Sequence, residues 1–197
     1  MMTGSLDMRQ ANSGKARLLI LLIAIAALSV AAVACGSDDG GVGKSFDGPI
    51  AKIDATDRVY TIQDLLDAGF KKSKTYDVEG LPGATEVLYG FYGVDPYDRQ
   101  EYEARFYPSH ARAIEVGIDY ADEVTGPEAV ILKDIQRWKV GLTERRQCAG
   151  NGGHHSGKCD NPKYFDYVIV GNMVLLCQGK DSPTSLQHCA DLMAVVQ

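Results

Sequence analysis

YFDYVIVGNMVLLCQG, residues 164–179, is the stretch whose reading decides the fold. Two apolar, β-branched-rich runs are separated by Gly171-Asn172, a two-residue signal for a tight β-hairpin. Across that turn Val168, Val170, Met173, Leu175 and Cys177 share one face, and Tyr167, Ile169, Val174 and Leu176 share the other. Both faces are apolar, so the pair belongs at the centre of a sheet, covered on both sides or on one side with an association surface opposite.

Downstream, SPTSLQHCADLMAVV (182–196) reads as a helix with Pro183 in its first turn and a stripe of Leu186, Cys189, Ala190 and Met193. Upstream, ATEVLYGFYG (84–93), the turn-forming VDPYD and RQEYEARFYP (99–108) read as a second strand pair. In its second strand Tyr102, Ala104 and Phe106 alternate with Glu101, Glu103 and Arg105; in its first, Val87, Tyr89 and Phe91 form the apolar set. The expected pair has an aromatic inner face. Sheet propensity accounts for its tyrosines and phenylalanines without a carbohydrate ligand.

A helix is expected from Ser109 to about Thr125, with Ala111, Ile114, Ile118 and Ala121 inward and Glu115, Asp119, Asp122 and Glu123 forming a solvated face. Thr61 and Asp64 cap a short helix ended by Gly69, and Tyr60 is placed to pack on Leu65. Ile131, Ile135, Trp138 and Leu142 are spaced to line another helix, although Gly141 and ERRQ favour extended chain. The expectation is an α+β domain over residues 49–197: an antiparallel sheet of four or five strands, with about three helices mainly on one face. This portion resembles small bacterial lipoproteins that end in a YVIVGN-type hairpin and a helix, a likeness that implies a fold and no activity.

The start of the chain carries a different signal. Residues 1–17 hold three basic side chains and one acid, and the seventeen residues Leu18–Ala34 contain nothing more polar than Ser29. That is the layout of an export signal. As a helix the apolar run reaches only ~25 Å, short for a bilayer core. Ala32-Val33-Ala34-Cys35, followed by GSDDGG, resembles the lipobox of bacterial lipoproteins, with alanine at position 32 where leucine is usual. The resemblance implies a thioether between the Cys35 sulfur and a diacylglycerol, cleavage before Cys35, and an anchor in the bilayer. Residues 1–34 are then a signal peptide and 35–48 a soluble, flexible tether. The expected address is the cell membrane, lipid-anchored and facing the extracytoplasmic side.

Export places Cys148, Cys159, Cys177 and Cys189 in an oxidising compartment. Four cysteines permit three connectivities; the favoured one joins Cys148 to Cys159 across a glycine-rich loop, and Cys177 to Cys189 from strand to helix. The competing reading of the loop is a zinc or copper site formed by Cys148, His154, His155 and Cys159.

Asp7, Arg9, Lys15 and Arg17 contribute +2 to the formal charge of -6, leaving about -8 beyond Cys35. So acidic a body offers no footprint for nucleic acid. A local basic group, Lys139, Arg145, Arg146, Lys158 and Lys163, either faces anionic lipid or pairs with carboxylates. The sequence carries no G-x-S-x-G, P-loop, H-E-x-x-H or dinucleotide fingerprint. No cofactor or catalytic residue is expected. The expectation is a non-catalytic binding, sensing or envelope-assembly domain, with the bilayer and an envelope protein as partners; the alternative is a metal-binding lipoprotein.

Overall fold

The 164–179 hairpin forms as its pattern predicts: β7 (Tyr164–Val170) and β8 (Met173–Gln178) pair antiparallel, with Val170 opposite Met173. The computed structural model describes residues 49–149 and 158–196. The other elements are β1 (Ile53–Asp54), α1 (Ile62–Asp67), β2 (Lys71–Tyr76), β3 (Glu86–Tyr92) and β4 (Gln100–Phe106). Next comes α2, built from His110–Arg112, a π-helical stretch Ala113–Gly117 and Ile118–Asp122; then β5 (Arg146–Ala149), β6 (Lys158–Pro162) and α3 (Ser182–Met193).

The fold is α+β, with a sheet of six strands in the order β1-β7-β8-β4-β3-β2. It is mixed, because β1 runs parallel to β7 while every other pairing is antiparallel. The expected four or five antiparallel strands fall short at the two edges. β2 (KKSKTY) is exposed over its first five residues, so it carries no apolar alternation, and β1 is two residues long. β5 and β6 pair with each other in a separate ribbon.

The helices occupy both faces rather than mainly one. α1 and α3 bury Leu65, Leu186, Cys189 and Leu192 against Leu88, Tyr102, Val168, Leu175 and Cys177. α2 covers the reverse, where Ala113 and Ala121 meet Tyr167, Ile169, Val174 and Leu176. The two faces of the hairpin therefore demand two layers, since each exposes apolar side chains that only a packed neighbour removes from water. Of the expected stripe, Ala121 is buried and Ile114 and Ile118 pack partly buried against the same cluster, while Ala111 is exposed; Ala113 and Gly117 complete the inward line. Small residues let the helix lie close: a Cβ on Gly117 would come within 3.0 Å of Val174 Cγ2 and 3.1 Å of the Tyr107 ring.

The α1 cap is the expected one. Thr61 accepts from the Asp64 amide, Asp64 accepts from the Thr61 amide at 2.8 Å, and Tyr60 and Leu65 lie in the same cluster. At the turn, Asn172 does more than reverse the chain. Its Oδ1 accepts from the Tyr60 amide at 2.6 Å, and its Nδ2 donates to the Tyr60 and Tyr107 carbonyls at 3.1 and 2.9 Å. One buried amide thus closes the backbone of two other segments onto the hairpin.

Residues 123–145 contain neither helix nor strand, and the helix spaced through Ile131, Ile135, Trp138 and Leu142 does not form. Ile131 and Trp138 are buried while Ile135 is exposed, so the apolar residues serve separate anchor points along an irregular cover.

Candidate functional site

Alternation in β4 places Tyr102, Ala104 and Phe106 on the α3 side and Glu103 and Arg105 on the other. The β3–β4 register sets Val87 opposite Arg105 and Tyr89 opposite Glu103, so Val87, Tyr89 and Phe91 share the charged residues' face. The single aromatic inner face expected for this pair is therefore two faces, each with its own aromatics. Glu103 and Arg105, which the pattern marks as solvent-facing, are both 0% exposed.

Their burial is explained by Arg145, which arrives from the irregular 123–145 segment and is also fully enclosed. Arg145 Nε and Nη2 donate to Glu103 at 2.9 and 3.0 Å, and Nη1 donates to the Trp138 carbonyl at 3.2 Å. Arg105 Nε donates to Glu103 Oε1 at 2.7 Å. The Trp138 ring centroid lies 4.4 Å from the Arg145 guanidinium carbon and 5.3 Å from that of Arg105. Burial pushes the Glu103 carboxyl upward, but the guanidinium groups of Arg145 and Arg105 outweigh it and hold the carboxyl below its ordinary range.

Several buried polar atoms around this trio have no protein partner: Arg105 Nη1 and Nη2, the Tyr107 and Tyr164 hydroxyls, and Trp138 Nε1. Burial drives the Tyr164 phenol well above its ordinary range. Of the basic group read from the sequence, two members pair with carboxylates. Arg145 joins Glu103, Lys163 meets Glu101, and Arg146 donates to the Ile131 carbonyl. The carboxylates of α2 and its exit are structural: Glu115 pairs with Arg112, Glu123 with Arg137, and Asp122 accepts from the Tyr167 hydroxyl.

A cleft of about 530 Å³ opens at the far end of β3 and β4, where the loop between them faces the C-terminal half of α3. Tyr92 and Tyr102 contribute aromatic surface; Val94, Ala194 and Val195 contribute aliphatic surface. Asp95, Asp98 and Asp191 bring three carboxylates, and among the described residues no lysine or arginine lines the space. Asp98 Oδ1 accepts from Gln100 at 3.2 Å and Asp191 Oδ1 from Gln187 at 2.8 Å, which fixes one oxygen of each. His188 Nδ1 lies 2.6 Å from the Gln178 carbonyl. A carbonyl only accepts, so Nδ1 carries the proton and Nε2 remains an acceptor in the neutral ring. Among the described residues the lining contains no serine, threonine, cysteine or lysine. Such a wall can hold a cation by charge and an apolar group by contact.

Of the cysteines, Cys177 and Cys189 form a disulfide, with Cα atoms 5.6 Å apart, tying β8 to α3. Cys148 and Cys159 lie on the paired strands β5 and β6, flanked by the matched residues Gln147–Asn161 and Ala149–Lys158; their side chains lie outside the description. Cys35, His154 and His155 fall outside the described residues. Among the described residues no group of three or more His, Cys, Asp or Glu is arranged to hold a metal ion. Nor, among them, is any helix long and apolar enough to cross a membrane.

Sequence reasoning missed the buried trio and the cleft. The one available signal for the trio was two charges, Glu103 and Arg105, at alternate positions of a strand already rich in aromatics. The cleft residues come from separate segments and left none.

A family model matches residues 61–197, and the chain belongs to that family, described as a family of unknown function, DUF6810. No curated protein and no solved structure shows significant similarity to the chain.

Proposed function

We propose that this chain is a lipid-anchored, extracytoplasmic binding protein whose cleft receives an organic ammonium or guanidinium group carried on an apolar body, free or as the side chain of an envelope protein. The observation that carries the binding reading is the cleft wall: three carboxylates, two tyrosines and aliphatic contacts, with no cationic side chain among them. Its volume suits a small ligand or one or two residues of a partner. Cations favour such a site through carboxylate charge and the negative faces of aromatic rings. The aspartate and tyrosine lining, with no Ser, Thr, Cys or Lys among the described residues, favours binding over covalent catalysis.

The anchor reading rests on Ala32-Val33-Ala34-Cys35 behind an apolar run and ahead of a glycine–aspartate tether. The Cys177–Cys189 disulfide supports export, because such bonds persist in oxidising compartments. The antiparallel pairing of the strands that carry Cys148 and Cys159 supports a second disulfide there, ahead of a metal site with His154 and His155.

Two measurements test the reading. Cys35→Ser should abolish processing and move the protein from the detergent phase to the aqueous phase; unchanged partitioning overturns the anchor. Detergent-solubilised full-length protein should bind N-acetyl-lysine methylamide in preference to its norleucine analogue. Binding should weaken with salt, since the cleft is open to solvent, and Asp191→Asn should reduce it several-fold. Equal response to the charged and neutral compounds overturns the cation site. A basic peptide that binds much more tightly than the single amino acid would identify a protein-borne group.

A further inference from the structure

We propose that the domain encloses a small monovalent anion of the halide class, held by the two outer nitrogens of Arg105. This inference is independent of the cleft and uses a different face of the sheet. Arg105 and Arg145 carry two positive charges and Glu103 one negative, and all three side chains are 0% exposed, so the enclosed group has a formal excess of one positive charge.

Glu103 already accepts three bonds from the two guanidinium groups, two at Oε1 and one at Oε2. The carboxylates acting on the surrounding tyrosines are committed elsewhere. Glu101 pairs with Lys163 and accepts from the Tyr89 hydroxyl, Glu144 pairs with Lys74, and Asp122 accepts from the Tyr167 hydroxyl. The Trp138 ring offers its negative face to both guanidiniums, which offsets part of the excess and supplies no hydrogen bond.

Arg105 Nη1 and Nη2 are left without partners although no surface of the side chain reaches solvent. A guanidinium fork with its donors open is built to hold an acceptor. A water molecule would satisfy donors and leave the charge uncompensated; a singly charged anion does both. Three further buried hydroxyls on the same face, those of Tyr76, Tyr107 and Tyr164, also lack partners. Tyr107 lies within electrostatic reach of Arg105 and Tyr164 of Glu103. Phenols donate readily to an anion, so they are the candidates to complete the shell. The chemistry selects a compact, weakly hydrated anion, because a doubly charged one would reverse the excess.

Full-length protein unfolded and refolded in sodium chloride, sodium bromide or sodium gluconate at matched ionic strength provides the test. Chloride and bromide should raise the melting temperature saturably, by on the order of 4 °C per tenfold increase above half-saturation, while gluconate does not. Arg105→Lys keeps the charge and loses the fork, and should shift half-saturation at least tenfold upward. Should that variant fold poorly, crystals of the unaltered protein grown in bromide decide the matter through an anomalous peak in contact with Arg105 Nη1 and Nη2. Equal melting temperatures in all three salts, or only a water at that position, overturn the proposal.

Discussion

The two faces of β4 were built from the same alternating strand and solve opposite problems. On one side Tyr102, Ala104 and Phe106 join an apolar cluster with α1 and α3, where area removed from water does most of the stabilising. On the other, Glu103 and Arg105 are buried just as fully, but their enclosure depends on Arg145 being delivered by a segment with no regular structure. On the apolar face the loss of one member costs that member's own burial and the cavity it leaves, and the others remain favourable without it. The charged face is conditional: each member is costly unless the others are present.

The sharpest way to break that contrast is Glu103→Ala. It leaves two buried guanidiniums facing each other, and urea denaturation should show a loss of about 3–5 kcal/mol. Replacing all three charges at once, as Glu103→Leu with Arg105→Met and Arg145→Met, should recover most of this loss. If the triple variant is as unstable as the single one, the charges are not the source of the cost. Loss of the Cys177–Cys189 bond, on the apolar face, should cost about 3 kcal/mol by the loop-closure account, read from denaturation with and without reductant.

Acid provides a third measurement. The folded Glu103 carboxyl lies below its ordinary value, so the unfolded chain binds its proton first. The contribution is complete above the ordinary carboxylate range and is lost as pH falls through the depressed folded value. Stability measured from pH 6 downward should therefore fall less steeply in Glu103→Gln, whose baseline is already lowered. The smallest expected effect lies away from both faces: Thr61→Ala removes the α1 capping box and should cost about 1 kcal/mol, measured as a shift in the urea midpoint.

How much of this was legible follows from the same contrast. The central hairpin, its turn at Gly171-Asn172, the capped helices and the Cys177–Cys189 link could be read because each is encoded within a few residues by period, turn chemistry or cysteine placement. β2 could not, since KKSKTY owes its pairing to the neighbouring β3 rather than to any pattern of its own. The α2 stripe was read correctly at Ile114, Ile118 and Ala121 and missed only at its first turn, where Ala113 rather than Ala111 is buried. The charged trio was invisible because a buried salt bridge between residues 42 positions apart leaves the local pattern of an exposed strand. The cleft likewise joins a loop, two strand ends and a distant helix.

The sulfur link between β8 and α3 has a mechanical consequence. The chain passing from Gln178 to Ser182 is short, and Cys189 fastens the middle of the helix to the end of a strand that runs between β7 and β4. α3 therefore cannot swing away as a unit while the sheet stays intact. Amide protons in its central turns should exchange with solvent only as slowly as those of β8, and reduction should uncouple the two rates.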